Sequence, residues 1–581
     1  MSLARPGVLC VRSVNEYRRC DTLAYLGLRY YLANTAARSD FWAREVATDL
    51  VLTRTKAHYF RALHFKDSKG EGQIQHREMF LPTANEALAE ASLLSECARR
   101  PEAFGNHAAV FSYVLNSELS RTGVFKHYMG GVRERHRQIA CACDDVKDGV
   151  VQYVDIKRFY PSIKSAVASV AWKLQCETGK LSHRFRELGD KLIADHVATL
   201  GRGNSGILTG PMFSHLLANL VLREIDGRMS SSASVKYFRY VDDITLVGER
   251  AAVKKALETL HTQLTDLDLT LHEDTSPKNI IAPASDWLAG RHDFHRKPEE
   301  ISWPRLIHDL RRFLLVNPDQ AETLQATFRS ESLRIPVRDY SAVSKERQFL
   351  ERALQFIQAY WYKKQTRRLT IGALVHHATL LREKCETELT NLLEGLPGLS
   401  GYPRKRRIPR LRYCVGRLIY LSNEASLVGI AAEISQVEEL YVQAQVMRAV
   451  ATGEVDDVLP LGTNAAQAAA QPMRAAGKNV VLKKPVDTKI KQLCLATFLF
   501  NGIRLKGPEI AVASDSEVLQ FAMSGSSSGL MRSTDGYLRE IACLHGLTSE
   551  PRHGETLRAA FDKDEELALD AINQIQQSAY A

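Results

Sequence analysis

The chain has 581 residues, 45% of them apolar and 25% charged, which is the make-up of a folded, water-exposed protein large enough for several cores. No run of about 18 uncharged apolar residues occurs, and Arg12 and Glu16 break the apolar patch near the N-terminus, so neither a membrane-crossing helix nor a signal peptide is expected. A net charge of +10 favours a polyanionic partner, and ten scattered cysteines without a CxxC pair point to reduced thiols in the cytoplasm.

From the N-terminus, apolar spacings of three and four in "CDTLAYLGLRYYLA" predict a helical extension over residues 1–60. The stretch "TANEALAEASLLSECARR" predicts a helix started by Pro82 and Thr83 and stopped by Pro101. "RTGVFKHYMGGVRERHRQIA" reads as a basic, loop-rich segment. Two strand-like stretches follow, "GVVQYVDIKRFY" and "VKYFRYVDDITLVG", separated by helical patterns. Beyond residue 340 helix-period patterns dominate, in "ERQFLERALQFIQAYW", "IGALVHHATLLREKCETELTNLLE" and "SLVGIAAEISQVEELYVQAQVMRAV". Segment 453–478, ending "GTNAAQAAAQPMRAAGK", is rich in small residues and reads as a linker or exposed loop. The expectation is an α/β front and an all-α back.

Chemistry concentrates where the apolar strands carry carboxylates. Asp242 and Asp243 interrupt "YFRYVDDITLV", a costly position unless they sit in a turn or bind a cation. Without Gly or Asn they are poor chemistry for a tight primed turn. A third carboxylate, Asp155, ends the earlier strand in "GVVQYVDIKRFYPSI". Aspartates at neighbouring strand ends that hold two Mg²⁺ ions are a route to phosphoryl or nucleotidyl transfer. Between them, "GRGNSGILTGPMFSHLLANLVLREID" places a Gly-rich turn with Thr209 and Gly210 ahead of a helix that carries Ser214 and Asn219.

"DIKRFYPSI", "GILTGPMFSHLLANLVL" and "YVDD", in this order, resemble motifs A, B and C of reverse transcriptases over residues 105–285. The resemblance implies a right-hand polymerase, an α+β fold of fingers and an antiparallel palm sheet, followed here by a large all-α C-terminal region. It implies fingers over 61–150, a palm over 151–285 with a finger insertion near 165–205, and a thumb-like segment over 286–345. A helical and potentially repeat-like domain over 346–450, the linker 451–478 and a C-terminal helical region over 479–581 complete the expected layout. Asp155, Asp242 and Asp243 become ligands of two Mg²⁺ ions. Tyr160 becomes the aromatic gate against a 2′-hydroxyl, with Phe159 beside it and the Thr209–Gly210 turn lining the nascent base pair. Deoxynucleoside triphosphates (dNTPs) are the implied substrates.

The departures from the family pattern are specific. Leu208 and Thr209 replace the usual Pro and Gln, and "VFSYVLN" offers Val114 where an arginine is usual. The triphosphate then needs other cations, with Lys126, Arg133, Arg135 and Arg137 nearest in sequence. In "LTLHEDTSPKN" the expected lysine is displaced to Lys278. Nucleic acid is expected at Tyr240 and on two aromatic and basic stretches, through Lys363, Lys364 and Arg367 in "YWYKKQTRR" and Arg404, Arg406 and Arg407 in "GYPRKRRIPRLRYC".

The helical back half resembles that of bacterial abortive-infection and other antiphage reverse transcriptases. Such a chain copies a non-coding RNA or makes DNA without a nucleic-acid template, and acts alone, as a homo-oligomer or with a partner defence protein. Two rivals remain open. A mobile-element enzyme related to those of group II introns needs a maturase-like basic thumb extension. A non-catalytic nucleic-acid sensor on the same fold has no need of all three aspartates.

Overall fold

The computed structural model describes residues 21–33, 39–69, 73–116, 123–146, 148–201, 205–276, 278–289, 301–337, 369–506 and 516–547. Within them the fold is mixed α+β, with two small antiparallel sheets in front and a helical C-terminal region that carries one short parallel strand pair. No helix among the described residues is long and apolar enough to cross a membrane.

Strands β1 (Tyr59–Lys69) and β2 (Gln73–Pro82) pair as a hairpin, with His64 opposite Arg77. Strands β3 (Val150–Asp155), β4 (Val235–Tyr240), β5 (Asp243–Gly248) and β6 (Asn279–Pro283) form the main sheet in the order β4-β5-β3-β6, antiparallel throughout. β5 is buried along its whole length because helices cover both faces, which is why "DITLVG" shows no polar alternation. On one face lies helix α1 (Tyr128–Asp145), and on the other lie α2 (Met212–Ser230) and α3 (Arg250–Thr265). A small core of Phe111, Ile139, Val151, Phe238, Val247 and Trp287 fills the α1 face.

Several expectations need correction. The basic segment expected to be loop-rich is helical from Tyr128 on, in α1, because its run of Arg, Glu and Gln consists of good helix formers, and Gly131 lets the helix touch the Phe111 carbonyl. The helix expected between Thr83 and Pro101 runs Ala84–Ala98 with Thr83 as its N-cap, and Pro101, two residues past its C-cap, also opens the next one, Pro101–Phe104. The largest revision concerns the proposed linker at 451–478. Residues Thr463–Ala476 form a helix, α5 once α4 (Gly401–Leu421) is numbered, and nearly all of it is buried. Alanine is the strongest helix former, and its small side chain lets backbones approach closely. Gly462, at φ +115°, brings the start of this helix against the Leu63 carbonyl of β1.

The chain ends are also less separate than expected. The N-terminal helix Thr22–Ala33 packs against the C-terminal helix Gly536–Gly546, and Thr22 Oγ1 donates to Gln467 Oε1 at 2.9 Å. Phe60 of β1 meets Tyr537 with ring centroids 5.2 Å apart, and Phe65 stacks on Tyr441 at 6.0 Å. The β1–β2 hairpin is thus held by the C-terminal helices. The helical pattern "ERQFLERALQFIQAYW", with Lys363, Lys364 and Arg367 just after it, lies outside the described residues.

Candidate active site

The β4–β5 connection is a two-residue turn, Val241–Asp242, and Asp243 is the first residue of β5. Val241 sits at φ +58°, a region that β-branched residues avoid. The strain is held by specific bonds. The Val241 N–H donates to Ser112 Oγ at 2.7 Å, and its carbonyl accepts from Arg239 Nη1 at 2.8 Å. Arg239 is fully buried and also grips both oxygens of Asp226, at 2.7 and 2.6 Å, and Asn219 Oδ1 at 3.2 Å. Tyr237 donates to Asp226 as well, at 2.8 Å. α2 therefore anchors the turn from behind, through Asn219 and Asp226.

The register of β3 and β5 sets Asp155 directly opposite Asp243, and the turn adds Asp242. One carboxylate oxygen from each of the three residues lies within 4.8 Å of the others. Asp155 and Asp243 are buried, and Asp243 Oδ2 has no hydrogen-bond partner among the described residues. Burial raises all three above the usual carboxylate range, Asp155 against the pull of Lys278, while repulsion from the neighbouring carboxylates adds to it for Asp242, which rises to about 6, and for Asp243. This donor set fits a divalent cation: all-oxygen, clustered, with the buried Asp243 Oδ2 unpartnered, and unable to ionise fully alone.

That electrostatic conflict has a measurable sign. An unfolded Asp ionises near 3.8, and a folded pKa of about 6 means that the metal-free folded chain holds the extra proton. The stabilisation is complete below the unfolded value and is lost as pH rises towards about 6. Mg²⁺ competes with those protons, so the increase in Tm on adding it is expected to be larger at about pH 7.5 than at about pH 5. Differential scanning fluorimetry across this range, with and without Mg²⁺, checks it; an increase independent of pH contradicts it.

Basic groups converge on the triad from distant segments. Lys278 Nζ lies 2.9 Å from Asp155 Oδ2, and His272 Nε2 lies 3.2 Å from Asp155 Oδ1. Burial and then the Lys278 charge lower the His272 imidazole to about 4, so it is neutral near pH 7. The late-arriving Lys278 does reach the aspartates, because residues 269–272 run alongside the end of β3 and bring the following loop back to it. Arg77 of β2 acts on Asp155 and Asp242, and Arg135 of α1 acts on Asp243 while donating to Thr245 Oγ1 at 2.7 Å. Lys405, on α4 of the helical region, acts on Asp155 and Asp243. Burial and Lys278 bring its ammonium down to about 8. Tyr402, one turn earlier on α4, stacks on Tyr153 of β3 at 6.2 Å.

Phe159 and Tyr160 begin the short helix Phe159–Ser162, and both are buried. The Gly-rich turn packs on this segment: Ile207 N–H donates to the Tyr160 carbonyl, and a Cβ on Gly206 would fall 2.2 Å from the Pro161 carbonyl. The turn also docks on β2, where Phe80 N–H donates to the Thr209 carbonyl at 2.8 Å. Gly210 sits at φ +126° with its Cβ position 2.4 Å from the Phe80 carbonyl, so only glycine fits. Thr209, Gly210, Tyr160 and the triad thus belong to neighbouring parts of one assembly.

The other expected residues are placed differently. Lys126 and Arg133 are exposed, Arg137 pairs with Glu134, and Tyr240 packs at the α1 face of the sheet. Arg404 grips Glu439 with two bonds of 2.8 Å, Arg406 donates to the Ala289 carbonyl, and Arg407 donates to the Leu392 carbonyl. These arginines fasten α4 to its neighbours, and Arg406, Arg407 and Arg410 line a cavity of about 510 Å³ with Asp286, Glu388 and Tyr402. Sequence reasoning missed Arg77, Lys405, Tyr113 and His215. The signal for β1 was present, in the alternation of buried Phe60, Ala62 and His64. No local signal marks Lys405.

No protein-family model and no curated protein sequence matches this chain.

Proposed function

We propose that the chain is a DNA polymerase of the reverse transcriptase type, a right-hand polymerase working in bacterial antiphage defence. The observation that carries this reading is the convergence of Asp155, Asp242 and Asp243, from the ends of adjacent antiparallel strands, within 4.8 Å of one another. The three motif segments that resemble the family lie around that point, and the departures are offset nearby.

In the proposed reaction a primer hydroxyl loses its proton and bonds to the α-phosphorus of a dNTP, while the bond to pyrophosphate breaks. Bound divalent cations, two Mg²⁺ in this reading, supply charge stabilisation for the attacking and leaving oxygens. Asp155, Asp242 and Asp243 would hold them, with His272 and Lys278 orienting Asp155. In this reading Lys278, whose ammonium lies 2.9 Å from Asp155 Oδ2, also donates a proton to the leaving pyrophosphate. On the same reading the Tyr160 ring crowds a 2′-hydroxyl, and the Thr209–Gly210 turn offers backbone to the new base pair, supported by the packing of that turn on the Tyr160 segment. The template is an RNA, or the chain extends DNA without one.

Arg77 and Lys405 take the place of the finger arginine that Val114 lacks. A charge-assisted contact contributes about 1.5–3 kcal/mol. Lys405→Ala is therefore expected to raise the dNTP KM roughly tenfold or more, with Lys405→Arg recovering much of it. Steady-state incorporation kinetics check this, and an unchanged KM contradicts it. The function itself is tested by sequencing the product made by the purified chain with its co-purifying RNA. DNA complementary to that RNA, lost on RNase treatment, supports templated synthesis. Non-complementary DNA supports the template-free form, and the absence of any DNA product refutes both.

A further inference from the structure

The proposed gate residue is not free to swing. The Tyr160 hydroxyl and His215 Nδ1 are 2.6 Å apart, a short hydrogen bond at the buried end of the ring. The His215 ring lies flat on Tyr113, with centroids 3.7 Å apart and planes 5° from parallel. Phe125 closes the group edge-on, 5.4 Å from Tyr113 and 6.2 Å from His215. Burial lowers the His215 imidazole to about 3, so it is neutral near pH 7 and shares one hydrogen with the hydroxyl in either tautomer. Tyr113 pays for this arrangement with φ +48°, a left-handed conformation that bulky side chains rarely adopt. Strain of this kind persists where the surroundings over-determine it, and it clusters at working sites.

The three residues come from three segments, one each from the finger-side loop, the motif A segment and the N-terminal part of α2. A core histidine needs only a partner; this one spans the two elements that a sugar gate must hold in register. We propose that His215 is a positioning residue for sugar selection, which with Tyr113 fixes the Tyr160 ring as a rigid wall against ribonucleotides. The inference rests on the polymerase reading above. Without His215 the ring gains rotamer freedom and can yield to a 2′-hydroxyl, so discrimination falls although the wall remains.

The test is the ratio of kcat/KM for dNTP over ribonucleotide, measured with the full chain and Mg²⁺. His215→Ala is expected to lower that ratio roughly tenfold, the worth of one hydrogen bond and its ring contact. The change should be carried by a rise in kcat/KM for the ribonucleotide. His215→Asn, which keeps a polar atom near the Nδ1 position, should restore much of the ratio. Tyr160→Phe, which removes only the hydroxyl, should lower it as His215→Ala does and serves if the alanine variant does not fold. A ratio unchanged in both Tyr160→Phe and a folded His215→Ala, with only Tm moved, would assign His215 a purely structural role and overturn the proposal. A wild-type chain that incorporates no dNTP instead refutes the polymerase reading on which it rests.

Discussion

Asp242→Ala is expected to lower nucleotide incorporation at least about 10³-fold, because several kcal/mol of transition-state charge stabilisation leave with the cations. The same substitution is expected to leave the Tm of the metal-free chain unchanged or higher. Asp242 is one of three carboxylates crowded within 4.8 Å, and burial and the Asp155 charge already push its pKa to about 6. Removing it relieves repulsion on Asp243, whose pKa is raised by burial and next by Asp242. A residue important for the fold would lose stability when truncated, whereas one kept for chemistry at an electrostatic cost behaves in the opposite way. Incorporation and thermal unfolding, measured on one preparation, separate the two. Loss of both together would move Asp242 into the scaffold.

Asp226→Ala is expected to do the reverse, costing stability first. It leaves the guanidinium of Arg239 buried and without its carboxylate, a defect of about 3–5 kcal/mol. Against a usual total of about 5–15 kcal/mol, that loss endangers the folded state. Replacing both partners by apolar residues, Asp226→Leu with Arg239→Met, removes the unpaired charge and should recover part of the stability, while Tyr237, Asn219 and Val241 lose their hydrogen bonds. It should not recover activity. Arg239 Nη1 is the donor that holds the Val241 carbonyl at 2.8 Å in a turn at φ +58°. Without it the strained turn relaxes and the aspartates lose their register. Denaturant unfolding and incorporation assays on the single and double variants check the pattern. A double variant with recovered activity would show that Arg239 only fills space.

The sequence made the triad legible because a carboxylate in an apolar strand is conspicuous and needs a reason. It could not show that Val241, rather than the aspartate pair, takes the left-handed turn position, since a β-branched residue is the last expected there. The Ala-rich run 463–476 was misread because small residues suit both linkers and tightly packed helices, and burial against β1 decides between them. Of the four cations expected for the triphosphate, Lys126, Arg133, Arg135 and Arg137, Arg135 acts on Asp243, whereas Lys126 and Arg133 are exposed and Arg137 pairs with Glu134. The structure also brings Arg77 and Lys405 to the triad, from the β1–β2 hairpin and from a helix more than a hundred residues downstream of the aspartates. Sequence distance carries no information about such contacts. His215 was likewise hidden: it reads as one polar residue in a helix until Tyr113 and Tyr160 close on it.

The most direct test is incorporation of labelled dNTPs by the purified full chain with its co-purifying RNA and Mg²⁺, beside an Asp155→Asn variant of matching Tm. The account predicts a DNase-sensitive labelled product from the wild type, dependent on Mg²⁺ and absent from the variant. A wild type that incorporates nothing, or a variant that incorporates equally, would contradict it.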